Sequence, residues 1–104
     1  MDPQRVLYSE SKPYELPERL DDLRGPESGV LELPVTVYWG PDSTVDLGTA
    51  GGIEKAYQCV IQEGRVHDIV AILHPLRLRE VWPDLLLPRR AREQWESRFP
   101  ELSR

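Results

Sequence analysis

Residues 52–63 read GIEKAYQCVIQE, and their apolar positions recur with the period of an α-helix. The positions that share one face are Ile53, Ala56, Tyr57, Val60 and Ile61. This i, i+3, i+4, i+7, i+8 spacing predicts an amphipathic helix with a fully apolar face. Thr49 or the Ala50-Gly51 pair marks its beginning, and Gly64 stands where a left-handed C-terminal cap is expected.

A segment with the residue composition of β-strands precedes this helix. Between Val30 and Trp39, β-branched and aromatic residues largely alternate with other types, which is typical of a strand. Pro34 interrupts the pattern; it has no N–H for a central ladder, so it marks either a break or an edge strand. Residues 40–43 have turn composition and residues 44–47 return as a strand. We therefore predict a hairpin between residues 30 and 47.

Further helices are predicted on both sides of this centre. Pro17 and Gly25 bracket a short helix near residues 17–24, which we expect to be peripheral. The apolar run from Ile69 to Leu73 fits either a buried strand or a helix, and the stripe starting at Val66 favours the helix. The predicted helices of the second half cover residues 66–73, 75–82 and 88–98.

The predicted architecture is a single α+β domain, in which a hairpin is packed by about four short helices and the C-terminal half is helical. A chain of 104 residues has room for one core. Residues 1–15 contain two prolines and no periodicity, so we expect a loose N-terminal arm.

Charge and composition restrict the class of protein. The net charge is −5, with five basic and twelve acidic side chains in residues 1–64 against eight and six in residues 65–104. An acidic chain argues against a general nucleic-acid binder. No apolar stretch is long enough to span a membrane and no secretory leader begins the sequence, so we expect a cytoplasmic protein. Cys59 stands alone and is expected to be a buried core thiol rather than a nucleophile.

No catalytic or cofactor motif is found. Residues 48–52 are Gly-rich before a helix but lack the Lys-Ser/Thr of a phosphate loop, so an anion or small-ligand site there with Asp46 is an alternative hypothesis. His67 and His74 are seven residues apart and lack further ligands nearby, so we predict capping or solvated histidines and no metal. We accordingly predict a protein that is not an enzyme and holds no cofactor.

The three tryptophans are expected in two different environments. Trp82 and Trp95 fall on helical apolar stripes and are expected in the core. Trp39 stands at the mouth of a turn beside Tyr38. Tryptophan and tyrosine are typical anchors of protein interfaces, so these two residues are the predicted partner-binding pair.

An arginine cluster supports a second hypothesis. Its members are Arg77, Arg79, Arg89, Arg90 and Arg92. A basic face of this kind suits contact with a phosphate backbone. Acidic residues interrupt the cluster, and pairs such as Arg89 with Glu93 and Arg92 with Glu96 have the i, i+4 spacing of a solvated helix face.

The segment from Val37 to Leu102 also carries a distinctive pattern. It includes VYWGP at residues 37–41, VDL at 45–47, and WPDLxLPxxxRxxWExxFP at 82–100. This pattern resembles a family of small uncharacterised bacterial proteins that are often labelled transcriptional regulators or linked to nucleotidyltransferase-type toxins. The resemblance implies a regulatory role and carries over no site residues. No helix-turn-helix with a basic recognition helix is present, because Pro75 stands between the nearest helices.

Together these features predict a regulatory protein-interaction domain, an accessory of a transcriptional regulator or an antitoxin-like partner. The alternatives are a DNA-binding regulator that uses the arginine face and a small ligand- or anion-binding protein.

Overall fold

The computed structural model describes residues 14–103, so most of the predicted N-terminal arm lies outside the described residues. Within this range two strands, β1 (Val30–Glu32) and β2 (Thr44–Asp46), precede four α-helices. The helices are α1 (Ala50–Glu63), α2 (Val66–Ile72), α3 (Pro75–Val81) and α4 (Arg89–Arg98), with short 3-10 turns at Leu20–Asp22, Trp82–Asp84 and Pro100–Ser103. The predicted α+β fold with a helical C-terminal half is confirmed.

The hairpin predicted between residues 30 and 47 is confirmed as a two-stranded antiparallel sheet. Leu31 lies opposite Val45, and Leu47 N donates to Gly29 O at 2.8 Å, which extends the ladder past β2. Val45 is buried between two exposed neighbours, so one face of the sheet covers the core and the other meets solvent. β2 packs against α1, which places the hairpin beside that helix.

β1 ends after three residues, whereas the sequence predicted a strand through Trp39. Leu33 N donates the last ladder bond to Ser43 O at 2.8 Å, and the next residue, Pro34, has no N–H to continue the ladder. The chain turns instead, and Tyr38 N donates to Pro34 O at 2.9 Å. The predicted extension of the strand is therefore wrong, and Pro34 marks a break.

The segment before the hairpin holds one three-residue 3-10 turn beginning at Leu20, not the helix predicted over residues 17–24. The segment is also not peripheral, because Leu20 and Leu23 are buried in the core. Arg24 N donates to Val70 O of α2 at 2.8 Å. A helix this short is costly to nucleate, and contacts with α2 bind the backbone that further helical turns would have used.

Thr49 and Gly64 mark the beginning and the end of α1. At the start, Thr49 Oγ1 accepts from Gly52 N at 3.0 Å, so Thr49 is the cap of the two beginnings that the sequence left open. At the end, Gly64 has φ −80° and ψ 155°, so the predicted left-handed cap is wrong. Gly64 fits this position because a larger residue would be crowded there: a Cβ would lie 2.7 Å from Val60 O.

Gly51 and Gly52, neighbours in the first turn of α1, should respond to alanine in opposite directions. A Cβ at Gly52 would lie 2.0 Å from Asp46 O, so Gly52→Ala must push α1 away from β2 and should lower the free energy of unfolding by about 1–3 kcal/mol. A Cβ at Gly51 meets nothing within 4 Å, so Gly51→Ala should raise it by about 0.5–1 kcal/mol. Urea unfolding measures both changes, and shifts of the same sign would contradict this packing.

Aromatic side chains form the centre of the helical half. Trp82 and Trp95 are 1% and 0% exposed, which confirms that both lie in the core as predicted. Their ring centroids lie 6.1 Å apart, and Phe99 lies 5.7 Å from Trp95. Trp82 Nε1 donates to Glu96 Oε2 at 2.8 Å, so the indole is buried with its polar edge satisfied. This cluster fixes α4 against the end of α3.

Residues 14–103 contain no helix with both the length and the apolar composition that crossing a membrane requires. The longest of these helices, α1, has 14 residues.

Candidate functional site

The connection between β1 and β2, residues 33–43, presents two large apolar side chains to solvent. Trp39 is 84% exposed and Val35 is 72% exposed. The connection itself is anchored, because Val37 is buried and Tyr38 N is bonded to Pro34 O. A lone exposed apolar residue is common on protein surfaces, whereas a large exposed side chain such as Trp39 on an anchored connection is suited to contact.

Lys55 of α1 holds this connection against the helix. Its Nζ donates to Asp42 O at 2.6 Å and lies 4.4 Å from the centre of the Tyr38 ring. A charged hydrogen bond and a cation over an aromatic face are both attractive. The Tyr38 ring also covers Gly40, where a Cβ would lie 2.3 Å from the phenolic oxygen. Tyr38 thus fixes the connection, while Trp39 projects into solvent.

A groove of about 510 Å³ lies between the connection and α1, and we call it the Trp39 groove. Its volume is within the range of sites that accept a small molecule or a few side chains of a partner. It brings together the two residues predicted to bind a partner, Trp39 and Tyr38. The full lining consists of Val37, Tyr38, Trp39, Gly40, Cys59, Gln62 and Glu63.

The wall that α1 contributes was not predicted. Cys59, Gln62 and Glu63 have i, i+3, i+4 spacing, so they lie on one stripe of the helix beside its apolar face. That stripe was readable in the sequence. Nothing local indicates that the connection packs beside it, because the contact depends on Lys55 reaching Tyr38.

Cys59 is half-buried; it packs against the core and also lines the groove. Burial raises the pKa of its thiol, Lys55 lowers it, and the charge of Glu63 raises it further, with burial the dominant cause. A raised pKa reduces the fraction of thiolate, which is the nucleophilic form of cysteine. The thiol is therefore better suited to contact than to covalent chemistry.

Two of the five arginines predicted as a nucleic-acid face are used inside the fold, and Arg92 is the clearer case. Its guanidinium lies 4.9 Å from the centre of the Trp82 ring and donates to the carbonyl oxygens of Trp82 and Leu85. Glu96 completes the arrangement at 3.7 Å. Arg92 therefore joins α4 to the residues that follow α3.

Arg77 plays a similar part between α3 and the hairpin. Its Nη2 donates to Leu47 O at 3.3 Å, and its Nη1 pairs with Glu80 at 2.8 Å. Only 28% of its side chain is exposed. Arg77, like Arg92, thus donates to groups of the fold through its terminal nitrogens.

The other three arginines, Arg79, Arg89 and Arg90, are exposed. Arg89 pairs with Glu93 at 3.0 Å, as the i, i+4 spacing predicted. Arg90 lines a shallow hollow of about 440 Å³ together with Arg98 and Glu93. These three are the members of the predicted set that a phosphate backbone would be able to reach.

The Gly-rich segment of residues 48–52 runs into the first turn of α1, and three of its N–H groups donate to Asp46 or Thr49. Gly48 N donates to Asp46 Oδ1 at 2.8 Å, and Gly52 N donates to Thr49 Oγ1 at 3.0 Å. Thr49 N donates to Asp46 O at 3.0 Å. An anion site needs such donors pointing outward, whereas a carboxylate already takes one of them. The geometry favours a helix cap at this position.

His67 and His74 have separate local surroundings. His74 Nδ1 accepts from Leu76 N at 3.2 Å and so caps α3. His67 is exposed, and its Nε2 lies 3.3 Å from Oδ1 of the buried Asp68. Within the described part of the chain, no three His, Cys, Asp or Glu side chains converge in a way that would hold a metal ion.

Comparison of the chain with protein-family models, with curated proteins and with solved structures gave no match. The resemblance to small bacterial regulators therefore stays a prediction.

Proposed function

We propose that this protein is a non-enzymatic regulatory module that binds another protein through the Trp39 groove. The observation that supports the proposal is the position of Trp39, 84% exposed beside a groove whose opposite wall is the helix α1. Burying an indole removes a large apolar area from water, and tryptophan is enriched among the residues that dominate interface energies. The anchored connection lowers the entropy lost on binding, since Lys55 and Tyr38 already restrict it.

The lining of the groove supports contact rather than catalysis. Its thiol, Cys59, has a pKa raised by burial, which is opposite to the shift that activates a nucleophile. The other residues that line the groove are Val37, Tyr38, Trp39, Gly40, Gln62 and Glu63. The regulatory role, as an accessory of a transcriptional regulator or an antitoxin-like partner in the cytoplasm, belongs to this proposal.

Capture from lysate tests the proposal with matched variants. The tagged wild-type protein, Trp39→Ala and Leu86→Ala would be incubated with nuclease-treated lysate of the native cells, and bound proteins quantified by mass spectrometry. Leu86 is 79% exposed and does not line the groove, so it controls for nonspecific apolar contact. We expect a protein bound by the wild type and by Leu86→Ala, and depleted at least tenfold with Trp39→Ala, the size of loss typical of an interface hot spot.

The same protein bound equally by Trp39→Ala would contradict the proposal. A parallel capture from untreated lysate that is lost on nuclease treatment would also contradict it and would favour the exposed arginines as a nucleic-acid face. Circular dichroism of each variant should show the wild-type fold, because surface substitutions usually change stability by less than about 0.5 kcal/mol.

A further inference from the structure

We infer that the shallow hollow beside α4 is a second site, which binds a phosphate monoester carried on a side chain of a protein partner. The hollow has a volume of about 440 Å³, and within residues 14–103 it shares no lining residue with the Trp39 groove. The inference therefore stands apart from the proposed function. We call this site the Arg90 hollow, and its lining consists of Leu16, Arg90, Glu93, Gln94, Ser97 and Arg98.

One stripe of α4 supplies most of the Arg90 hollow. Arg90, Gln94, Ser97 and Arg98 have i, i+4, i+7, i+8 spacing, so they lie on the same side of the helix. All four side chains carry hydrogen-bond donors, and two of them are guanidinium groups. The stripe therefore lines the hollow with donors, and the charge of its two arginines is permanent.

The segment before the hairpin supplies the other wall. Arg98 Nη1 donates to Pro17 O at 3.4 Å, which holds α4 beside this segment. Leu16 is half-buried and packs against the core, so it gives the hollow an apolar edge. The preceding residue, Glu15, is engaged at α2, where its Oε1 accepts from Val66 N at 2.8 Å. This wall thus adds an apolar contact to the charged stripe.

The positive charge of the lining is not neutralised within the part of the chain that the structure describes. The one carboxylate of the lining, Glu93, is paired with Arg89 at 3.0 Å, and Arg89 does not line the hollow. Arg98 donates to a neutral carbonyl, and Arg90 forms neither an ion pair nor a hydrogen bond with another residue of 14–103. Two guanidinium charges therefore remain for a ligand.

A phosphate monoester matches this lining in charge and in geometry. It carries about −1.5 to −2 charges at pH 7 and three strong acceptor oxygens. Two guanidinium groups balance that charge and bind its oxygens in pairs, while the Gln94 amide and the Ser97 hydroxyl are further, neutral donors. A carboxylate carries a single charge on two oxygens, so it would satisfy less of the lining.

The shape of the hollow favours a phosphorylated residue of a partner over a free phosphate ester. Its walls are one helix and one short segment, so a free molecule would keep much of its surface in water. A residue within a partner chain is also held by its neighbours, and one of them would pack on Leu16. A nucleic-acid backbone runs past such a hollow in both directions, whereas the cations of the lining are confined to one stripe.

Peptides with a central phosphoserine test this inference. An array of degenerate phosphoserine peptides and of their unphosphorylated counterparts would be probed with the full chain, and the best binder titrated by fluorescence anisotropy. We expect the phosphorylated peptide to bind at least roughly tenfold more tightly than its counterpart, which lacks the charged hydrogen bonds to both arginines. Free O-phosphoserine should compete only at much higher concentration, because it lacks the neighbouring residues.

Variants locate the bound peptide on the fold. Arg90→Gln should weaken phosphopeptide binding roughly five- to tenfold, because it removes one charged hydrogen-bonding partner, and Arg90→Lys should restore part of the affinity. Arg79→Gln removes an exposed arginine outside the lining, so it should leave the affinity unchanged. Trp39→Ala should also leave it unchanged, since Trp39 does not line this hollow.

Equal binding of the two peptide forms, or equal weakening by Arg90→Gln and Arg79→Gln, would overturn the inference. Free O-phosphoserine that binds as tightly as the peptide would overturn it in favour of a small-molecule ligand. A gel shift of duplex DNA that depends on Arg90 would overturn it in favour of nucleic acid.

The proposed function is judged separately, by capture from lysate that depends on Trp39. If the phosphopeptide fails to bind while that capture succeeds, the Arg90 hollow is overturned and the Trp39 groove stands. If phosphopeptide binding is lost with Trp39→Ala and kept with Arg90→Gln, the peptide occupies the Trp39 groove, which also overturns the Arg90 hollow.

Discussion

Replacing Trp95 with alanine is expected to lower the free energy of unfolding by about 3–5 kcal/mol. The indole is fully buried, with ring centroids 6.1 Å from Trp82 and 5.7 Å from Phe99, so its removal leaves a cavity between α4 and the rest of the core. Domains of this size have about 5–15 kcal/mol of stability in total, so the substitution should remove a large part of it. Urea unfolding followed by circular dichroism measures the change.

Two variants control for the chemistry of the side chain and for its position. Trp95→Phe should cost much less than alanine, because it keeps an aromatic ring and Trp95 Nε1 has no hydrogen-bond acceptor among residues 14–103. Trp39→Ala should change stability by less than about 0.5 kcal/mol, as an exposed side chain should. If Trp39→Ala lowered the free energy of unfolding as much as Trp95→Ala, Trp39 would be a core residue. That result would contradict its place at the edge of the groove.

Arg92→Ala should lower the free energy of unfolding by about 2–3 kcal/mol. The substitution leaves the carbonyl oxygens of Trp82 and Leu85 without their charged donor and removes the cation stacked on the Trp82 ring. The loss of a hydrogen bond from a charged donor and a buried acceptor left unpaired each have costs of this order. Thermal and urea unfolding would measure the change.

Arg90→Ala is the matched control for Arg92→Ala. Both arginines lie in α4, but Arg90 is exposed, so its removal should change stability by less than about 0.5 kcal/mol. Equal effects would contradict the structural role of Arg92. A test of nucleic-acid binding should accordingly replace Arg79, Arg89 and Arg90, because a gel shift lost with Arg92→Ala would report unfolding as readily as a lost phosphate contact.

The helices after residue 50 were predictable because each has a periodic apolar face, and for residues 66–73 that face favoured a helix over a buried strand. The stripe through Ile53 and Val60, the capping Thr49, and the prolines at positions 75 and 83 are local signals with local consequences. Trp82 and Trp95 were correctly assigned to the core for the same reason. Where a local pattern and the tertiary environment agree, sequence reasoning succeeds.

The wrong predictions concern segments whose conformation is set by tertiary contacts or by a missing backbone N–H. Residues 17–24 have the residue types that begin and end helices, yet Arg24 N donates a hydrogen bond to α2. No local sequence pattern indicates that contact. The alternation up to Trp39 resembles a strand, but the missing N–H of Pro34 ends the ladder after Leu33. Gly64 suits a left-handed cap in sequence, whereas the crowding of Val60 O explains it in the fold.

The candidate site was half predictable. Trp39 and Tyr38 were identified by residue type and by their place beside a turn, which is enough to suggest an interface. The wall formed by Cys59, Gln62 and Glu63 was not, because it requires Lys55 to hold the connection against α1. The arginine face was overestimated, since the sequence does not show that Arg92 stacks on Trp82.

The most direct test of the Trp39 groove as a partner-binding site is photo-crosslinking in the native cells. The crosslinker p-benzoylphenylalanine would be incorporated at Gln62, in the groove wall, and separately at Arg79, an exposed position that does not line the groove. We predict an adduct with one protein from position 62 alone, lost when Trp39→Ala is added. The same adduct from both positions, or an adduct at position 62 that survives Trp39→Ala, would contradict this assignment.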